Sequence, residues 1–401
     1  MAENDTTQRT VNMKGGLVYI IVGEPSGDIL AGRLMQVMQQ QYPGVRFAGT
    51  GGETMTAQGF HSLFPIAEIS VMGFWEVLPK LPLIMKRLKE VLADIEQLQP
   101  DVIVTVDSWG FVSRILNKLK RKRSAIPTVH YVAPQVWAWK KNRAPKAAKL
   151  MDRMMTLWPY EPAYFEKYGL RCDFVGHPVI ENTTNISADL EEFKARHHIP
   201  CQGTVLCVLP GSRHSEIKKL IPVFSKVINR LKDYFPHLFL IIPSVEAIAD
   251  EVRNAFARTD IPHCVITGQQ ERYNAFRIST FALAASGTVT LELTACGTPH
   301  VIAYTFNAMT NQMIKRMATT DYANLINILA DKPIIPEFVL ENCREDLIAA
   351  KVLELMQNPA MAQAQINEAK QYFAQLKPED MMPSEKVASI VREMMKKSIP
   401  L

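Results

Sequence analysis

An α/β fold of two consecutive doubly wound halves is what this sequence predicts, and three observations carry the prediction. Short apolar runs of strand length alternate with amphipathic stretches for most of the 401 residues. The alternation breaks once, over the polar stretch 182–200, which ends in His197-His198-Ile199-Pro200. A second series of the same kind then begins. Strands that alternate with helices imply a parallel sheet covered on both faces. A chain of this length also exceeds one ordinary core.

Taken in order, Val18–Val22, Val102–Val106, Thr128–Val132 and Met154–Leu157 read as buried strands of the first half. Ile29–Gln41, Leu83–Leu98 and Phe111–Lys122 read as its helices. Val205–Leu209, Leu238–Ile242, Val265–Thr267, Phe281–Ala284 and Val301–Tyr304 are the strands expected in the second half. After Pro359 the chain reads as helical to Lys397, with breaks near Pro378 and Pro383. The expected division is a disordered tail 1–16, a first domain 17–185, a second domain 200–375 and a C-terminal helix 376–401. That last segment either returns to the first half or crosses to a partner chain, so monomer and homodimer both stay open. Doubly wound sheets bind ligands at the carboxyl ends of their strands. The cleft expected between the halves is therefore the place to look for a site.

Composition narrows the function classes. Hydrophobic content of 47% with 21% charged residues excludes a disordered chain. A formal charge of +5 suits an anionic ligand or an acidic membrane surface and does not indicate nucleic-acid binding. Cys172, Cys201, Cys207, Cys264, Cys296 and Cys343 form no Cys-x-x-Cys pair, which favours reduced thiols over a disulfide frame or a zinc site. The polar first sixteen residues hold no apolar core of a signal peptide. No run approaches the roughly 18 apolar residues of a spanning helix. The protein is expected to be soluble or bound at a membrane surface.

Four strand ends carry polar or glycine-rich groups. Ala284-Ala285-Ser286-Gly287-Thr288-Val289-Thr290-Leu291-Glu292 follows the apolar run Phe281–Leu283. A strand ending at Ser286, a turn on Gly287 and a helix opening at Thr288 would present free amides and a helix dipole to a phosphate. Glu292, one helical turn on, could accept hydrogen bonds from a ribose. The bland alternative is a plain strand–turn–helix joint with a Ser/Thr cap. Gly23-Glu24-Pro25-Ser26-Gly27-Asp28 ends the first strand. There the glycines would permit a tight turn, Asp28 could cap the following helix, and Glu24 sits at the strand tip. This is not the dinucleotide fingerprint of spaced glycines, which argues against NAD. Asp107 ends Val102–Val106 and reads either as a proton acceptor for a hydroxyl nucleophile or as the cap of the helix at Phe111. Leu209-Pro210-Gly211-Ser212-Arg213 ends the first strand of the second half. The amides of Gly211 and Ser212 and the planar fork of Arg213 match a diphosphate. A surface arginine at a helix start is the alternative, although the dipole would repel it there. Glu216 does not fit a capping box with either Ser212 or Arg213. No Asp-x-Asp occurs, so a metal bridging a nucleotide diphosphate has no evident ligands. A nucleotide donor on the second half and an acceptor on the first is the economical inference.

The ordered set of motifs resembles the lipid-A-disaccharide synthase family, glycosyltransferases of the two-Rossmann-domain, GT-B type. The matching residues run unbroken from about 17 to 345. They are Gly23-Glu24-x-Ser26-Gly27-Asp28, Val71-Met72-Gly73-Phe74-x-Glu76-Val77-Leu78, Asp107, and His130 through Trp139. Phe174 through Pro178, Leu209 through Arg213, Ala285 through Thr288, and Thr320 through Ala330 complete the set. The resemblance implies transfer of diacylglucosamine from UDP-2,3-diacylglucosamine to the 6-hydroxyl of 2,3-diacylglucosamine 1-phosphate (lipid X). Lipid A disaccharide 1-phosphate and UDP would form, with inversion and with neither metal nor cofactor. It implies Asp107 as base and Arg213 as the partner of the leaving diphosphate. Glu24, Gly211, Ser212, Ser286, Gly287, Thr288, Glu292 and Asn327 would line the donor site. It also implies a peripheral location on the cytoplasmic face of a Gram-negative inner membrane. The family usually has a proline, and often a second acidic residue, after the aspartate. This chain has Ser108-Trp109-Gly110-Phe111, so Asp107 would act alone.

Val71, Met72, Phe74, Trp75, Val77, Leu78 and Leu81 are unusually apolar for the loop that this stretch, with its prolines, is expected to form before the helix at Leu83. Lys80, Lys86, Arg87 and Lys89 flank them. Ordinary core packing would explain the stretch. Acyl-chain substrates favour an interfacial anchor, with Lys118–Arg123 and the Lys140–Lys149 cluster adding attraction to anionic lipid. His130 reads as a satisfied core histidine and His177 as a structural one. Trp137 and Trp139 either underlie the acceptor or fill the core. Met309, Met313 and Met317 read as core or interface filling. Two rival readings stay on the page. One is a UDP-sugar 2-epimerase-like enzyme, which needs further carboxylates around the sugar. The other is a non-catalytic nucleotide-binding protein at a membrane surface.

Overall fold

Val18, Ile20 and Val22 pack into one buried cluster while Tyr19 and Ile21 pack into another, and all five are fully buried. The strand they form, β1 (Leu17–Val22), is thus covered on both faces, as an alternation of side chains across a parallel sheet requires. The computed structural model describes residues 16–70, 74–137, 142–184, 189–305 and 320–396. The chain divides into two units. One takes the residues through Pro178 together with those from Lys377 onward, and the other runs Val179–Leu376.

The first unit holds a six-stranded parallel sheet in the order β2-β1-β3-β4-β5-β6. Its other strands are β2 (Arg46–Thr50), β3 (Val102–Val106), β4 (Thr128–Tyr131), β5 (Arg153–Thr156) and β6 (Arg171–Phe174). Chain order reverses between β1 and β3, which lie side by side with Val22 opposite Val106. The helix Pro383–Lys396 brings Val387, Val391 and Met394 into the cluster that holds Leu34, Met35 and Met38 of the helix Pro25–Gln41. Glu393 of the same C-terminal helix meets Arg153 of β5 at 2.5 Å, and Asp173 of β6 takes both other arms of that guanidinium at 2.6 and 2.9 Å.

The second unit holds another six-stranded parallel sheet, in the order β12-β11-β10-β7-β8-β9. Its strands are β7 (Thr204–Leu209), β8 (Leu238–Pro243), β9 (His263–Ile266), β10 (Phe281–Ala285), β11 (His300–Tyr304) and β12 (Glu337–Val339). Here the order reverses between β7 and β10. Each unit is thus a doubly wound α/β domain with its own parallel sheet.

Every strand expected from the sequence forms, with ends displaced by at most two residues. β2, β6 and β12 were not expected. All three are sheet edges whose residues are mostly part-exposed, so they lack the continuous apolar run by which a buried parallel strand is read. The expected loop before Leu83 is instead helix, since one helix runs Phe74–Leu98 with Pro79 and Pro82 inside it. Each proline leaves the carbonyl four residues back without its helical donor, and the helix tolerates both. Val71 and Met72 lie outside the described residues, as do the expected tail, Trp139, Lys140, Met309, Met313 and Met317. So do the side chains of Phe74, Trp75, Val77 and Leu78.

Candidate active site

β7 runs buried to Leu209 and then turns on Pro210 and Gly211. Gly211 has φ +119°, and a side-chain carbon there would meet the Cβ of Glu216 at 2.6 Å, so glycine is required. Arg213 is the cap residue of the helix His214–Leu231. Glu216, in its first turn, closes the loop. Its Oε2 accepts from the Ser212 amide at 2.9 Å, and its Oε1 accepts from Arg213 at 3.2 Å and from the Tyr304 hydroxyl at 2.9 Å. The Ser212 amide, expected to face a diphosphate, donates instead to Glu216. Glu216 also offsets the unfavourable dipole at Arg213, whose side chain is 58% exposed.

β10, the neighbour of β7, ends at Ala285, and the helix Val289–Cys296 follows with Thr288 at its cap. Gly287 and Thr288 are exposed, and the first amides of such a helix have no intrahelical acceptor. Ser286 Oγ donates to the Ala323 carbonyl at 3.0 Å. Glu292 is buried, which pushes its carboxyl above the usual range, and Arg272 and the Tyr273 hydroxyl donate to it at 2.8 and 2.9 Å. A pocket of about 350 Å³ is lined by Gly211, Ser212, Arg213, Glu216, Ser286, Gly287, Thr288 and Glu292. Residues 243–245 at the end of β8 and Arg272 complete its wall. These last were missed from the sequence. Pro243 at a strand end was their one legible signal.

Asn327 is not in that wall. It is wholly buried. Its amide nitrogen donates to the Ile335 carbonyl and to Glu337, each at 2.7 Å, and its oxygen accepts from the Ile335 amide at 2.8 Å. Glu337 also accepts from the amides of Ala323 and Asn324 at 2.7 and 2.8 Å. Asn327 thus clamps Ile335 and Glu337 within the second unit.

In the first unit, β1 and β3 end side by side, which brings Glu24 and Asp107 to the carboxyl end of the sheet. Asp107 (φ 50°) and Ser108 (φ 45°) are consecutive non-glycine residues in the left-handed region. Each costs of order 1–3 kcal/mol, and such strain gathers at functional sites. Ser108, not Asp107, occupies the cap position of the helix Trp109–Arg121, although its hydroxyl makes no capping hydrogen bond among the described residues, and the Asp107 carboxylate takes the Ser108 amide and not an amide inside the helix. The Asp107 carboxylate accepts from the Ser26 hydroxyl and the Ser108 amide, while burial holds its pKa above the ordinary range. A side-chain carbon on Gly23 would lie 2.8 Å from Ser108 Oγ, so this glycine serves close approach of β1 to the strained turn. Gly27 lies inside the helix Pro25–Gln41 and lets it pack on Val22 and Val106. Asp28 does not cap its own helix. It accepts from the amides of Gly52, Thr54 and Met55, at the start of the helix Glu53–Thr56.

Below the end of β5, Glu161 accepts from Trp137 Nε1 at 3.1 Å and from the amides of Leu157 and Trp158, and burial pushes it up to about 7. Trp137 is thus a hydrogen-bonded core residue. His130 pairs with Thr105 at 2.8 Å through Nδ1, but its buried Nε2 has no partner among the described residues, so it is only half satisfied. His177 is buried against Trp158. Leu81 is 44% exposed. Arg87 binds Glu68 and Glu90, each at 2.6 Å, and Lys122 binds Glu96 at 2.8 Å. Lys86 lies 4.0 Å from Glu90 and Lys120 3.8 Å from Asp152, so four of the cations expected to meet lipid are paired within the protein. Among the described residues no helix is long and apolar enough to cross a membrane.

Comparison with known proteins accords with this geometry. The model of the lipid-A-disaccharide synthetase family matches residues 18–391. The chain is 43% identical over 378 residues to the lipid-A-disaccharide synthase of Paramagnetospirillum magneticum, covering 94% of this chain and 96% of that protein. It is 40% identical over 388 residues to that of Rhodospirillum centenum, covering 96% of each. Among solved structures it is similar to the S. aureus MnaA–UDP co-structure, with TM-score 0.66 at 12% identity over 95% of this chain and 97% of that one. It is also similar to a UDP-GlcNAc 2-epimerase from Neisseria meningitidis bound to UDP-GlcNAc, with TM-score 0.62 at 10% identity over 95% and 99%. At these identities the structural likeness is one of fold alone.

Proposed function

The chain belongs to the lipid-A-disaccharide synthetase family and is a glycosyltransferase, and we propose that it transfers diacylglucosamine from UDP-2,3-diacylglucosamine to the 6-hydroxyl of 2,3-diacylglucosamine 1-phosphate. Asp107 takes the proton of the 6-hydroxyl as that oxygen attacks the anomeric carbon. The bond from that carbon to the diphosphate oxygen breaks in the same displacement, through an oxocarbenium-like state, and UDP departs. One base and one displacement invert the anomeric centre. Arg213 and the helix start at Gly287 and Thr288 meet the charge that develops on the diphosphate. Glu292 accepts from the ribose, and Glu24 lines the donor on the sugar side.

The observation that carries this reading is Asp107 itself. It is a part-buried carboxylate in a strained turn at a strand end, one residue before the cap position of the following helix. The assay is release of UDP on mixing the two lipid substrates with purified protein, with the anomeric configuration of the product read by NMR. A retained α linkage, or no UDP release, overturns the reading. Peripheral membrane placement belongs to the same proposal. Leu81 and Met85 are exposed on the helix Phe74–Leu98, and Lys146 and Lys149 are exposed on the helix Arg143–Leu150. Co-sedimentation with vesicles of anionic phospholipid, weakened by salt, tests it.

A further inference from the structure

Glu292 does not face its pocket unassisted. Arg272 Nη2 at 2.8 Å and the Tyr273 hydroxyl at 2.9 Å both donate to one oxygen, Oε1. Among the described residues Oε2 receives no hydrogen bond. Arg272 and Tyr273 are adjacent on the helix Gln269–Ile278, which packs against the helix that carries Glu292. The Tyr273 ring is anchored in the core at 2% exposure, and the Arg272 guanidinium lies 5.5 Å from that ring's centroid. Arg272 also forms part of the pocket wall. One donor on a carboxylate oxygen leaves the group free to rotate, whereas two donors from neighbouring residues fix its plane. The bond from Arg272 is charge-assisted and the stronger of the two.

We propose that Arg272 is a positioning residue for the donor nucleotide: by holding Oε1 it sets the Glu292 carboxylate so that Oε2 accepts from the ribose hydroxyls of UDP. This rests on reading Glu292 as the ribose acceptor. The Coulombic partnership matters as well, since burial disfavours the charged carboxylate and Arg272 is the cation opposing that effect.

The test is calorimetric binding of UDP and of 2′,3′-dideoxy-UDP to the full chain. The unaltered protein should prefer UDP at least about tenfold, the size of a hydrogen bond to a charged group. Arg272→Met should weaken UDP about tenfold and leave dideoxy-UDP unchanged, with Arg272→Lys recovering part of the loss. Equal weakening of both ligands, which a merely structural role would give, overturns the proposal, and so does no change in either. Glu292→Ala separates the two levels of the argument. If it keeps the preference for UDP, the ribose reading itself has failed. If it abolishes the preference while Arg272→Met keeps it, only the role of Arg272 has failed. Should Arg272→Met melt below the assay temperature, Arg272→Lys carries the comparison, with an expected loss of about threefold.

Discussion

The hydroxyl of Ser26 donates a hydrogen bond to the carboxylate of Asp107, and so ties the helix after β1 to the end of β3. The two residues are far apart in sequence and meet because β1 and β3 are neighbours. The bond favours the charged form of Asp107, and burial opposes it more strongly. A base must be ionised to work, so activity should rise with pH through a carboxylate pKa displaced upward. Ser26→Ala removes a bond to the anion and should move the acidic limb of the kcat/KM profile to higher pH. An unmoved limb would show that the titrating group is not Asp107.

Asp107→Asn should bind UDP as the unaltered chain does and lose about 10²- to 10⁴-fold in transfer rate, the usual share of a general base. Single-turnover kinetics alongside UDP calorimetry give the two quantities separately. Turnover within threefold of the starting value rules the aspartate out.

Arg213 is more than half exposed, and its pairing with Glu216 is worth at most about 1 kcal/mol. Arg213→Ala should therefore leave the melting temperature almost unchanged while lowering transfer about 10²-fold or more, because the leaving diphosphate loses a planar donor. Lysine at this position should restore only part of the rate. Full activity in Arg213→Ala would leave the diphosphate to the amides of Gly287 and Thr288.

Asn327→Leu orphans the amide and carbonyl of Ile335 and removes one of the donors on Glu337. Two buried backbone groups left unmatched should cost about 3 kcal/mol, or roughly 10 °C in the melting of a unit this size. UDP affinity of the folded protein should change little. The opposite pattern, intact stability with lost UDP binding, would return Asn327 to the donor site.

Glu161 supplies a pH dependence of stability. Its pKa rises from 4.5 to about 7 on folding, so the folded state holds the proton more tightly than the unfolded one between those values. Its contribution is fully present below 4.5 and is lost as pH rises through 7. Within that window the loss is up to about 1.4 kcal/mol per pH unit. Thermal melts of Glu161→Gln from pH 5 to pH 8 should show a shallower decline than the unaltered chain, and an identical decline would refute the assignment.

The interior strands were legible because their residues are apolar on both faces, as at Val102–Val106 and Phe281–Ala285, where every residue is buried. Edge strands such as Arg46–Thr50 were not, since a half-exposed strand has no such run. The glycine-rich and acidic strand ends were legible as well, because turns and ligand contacts demand particular residue types. The roles of individual side chains were less so. Asp28 faces another helix, Asn327 faces Ile335, and Glu216 adds the distant Tyr304 hydroxyl to its local partners Ser212 and Arg213.

The linear order of residues determined two doubly wound units, four polar or glycine-rich strand ends and the family. Strand order in three dimensions decided which of those ends meet. β1 lies beside β3 and β7 beside β10, so Glu24 joins Asp107, and the Gly211–Arg213 loop joins the Ser286–Thr288 turn. Hydrogen bonds from Arg272 and Tyr273, distant in sequence, then gathered on one oxygen of Glu292. Composition and periodicity report burial, which is local. The pairing of distant polar groups depends on the path of the chain, and that path exists only once the sheets have formed.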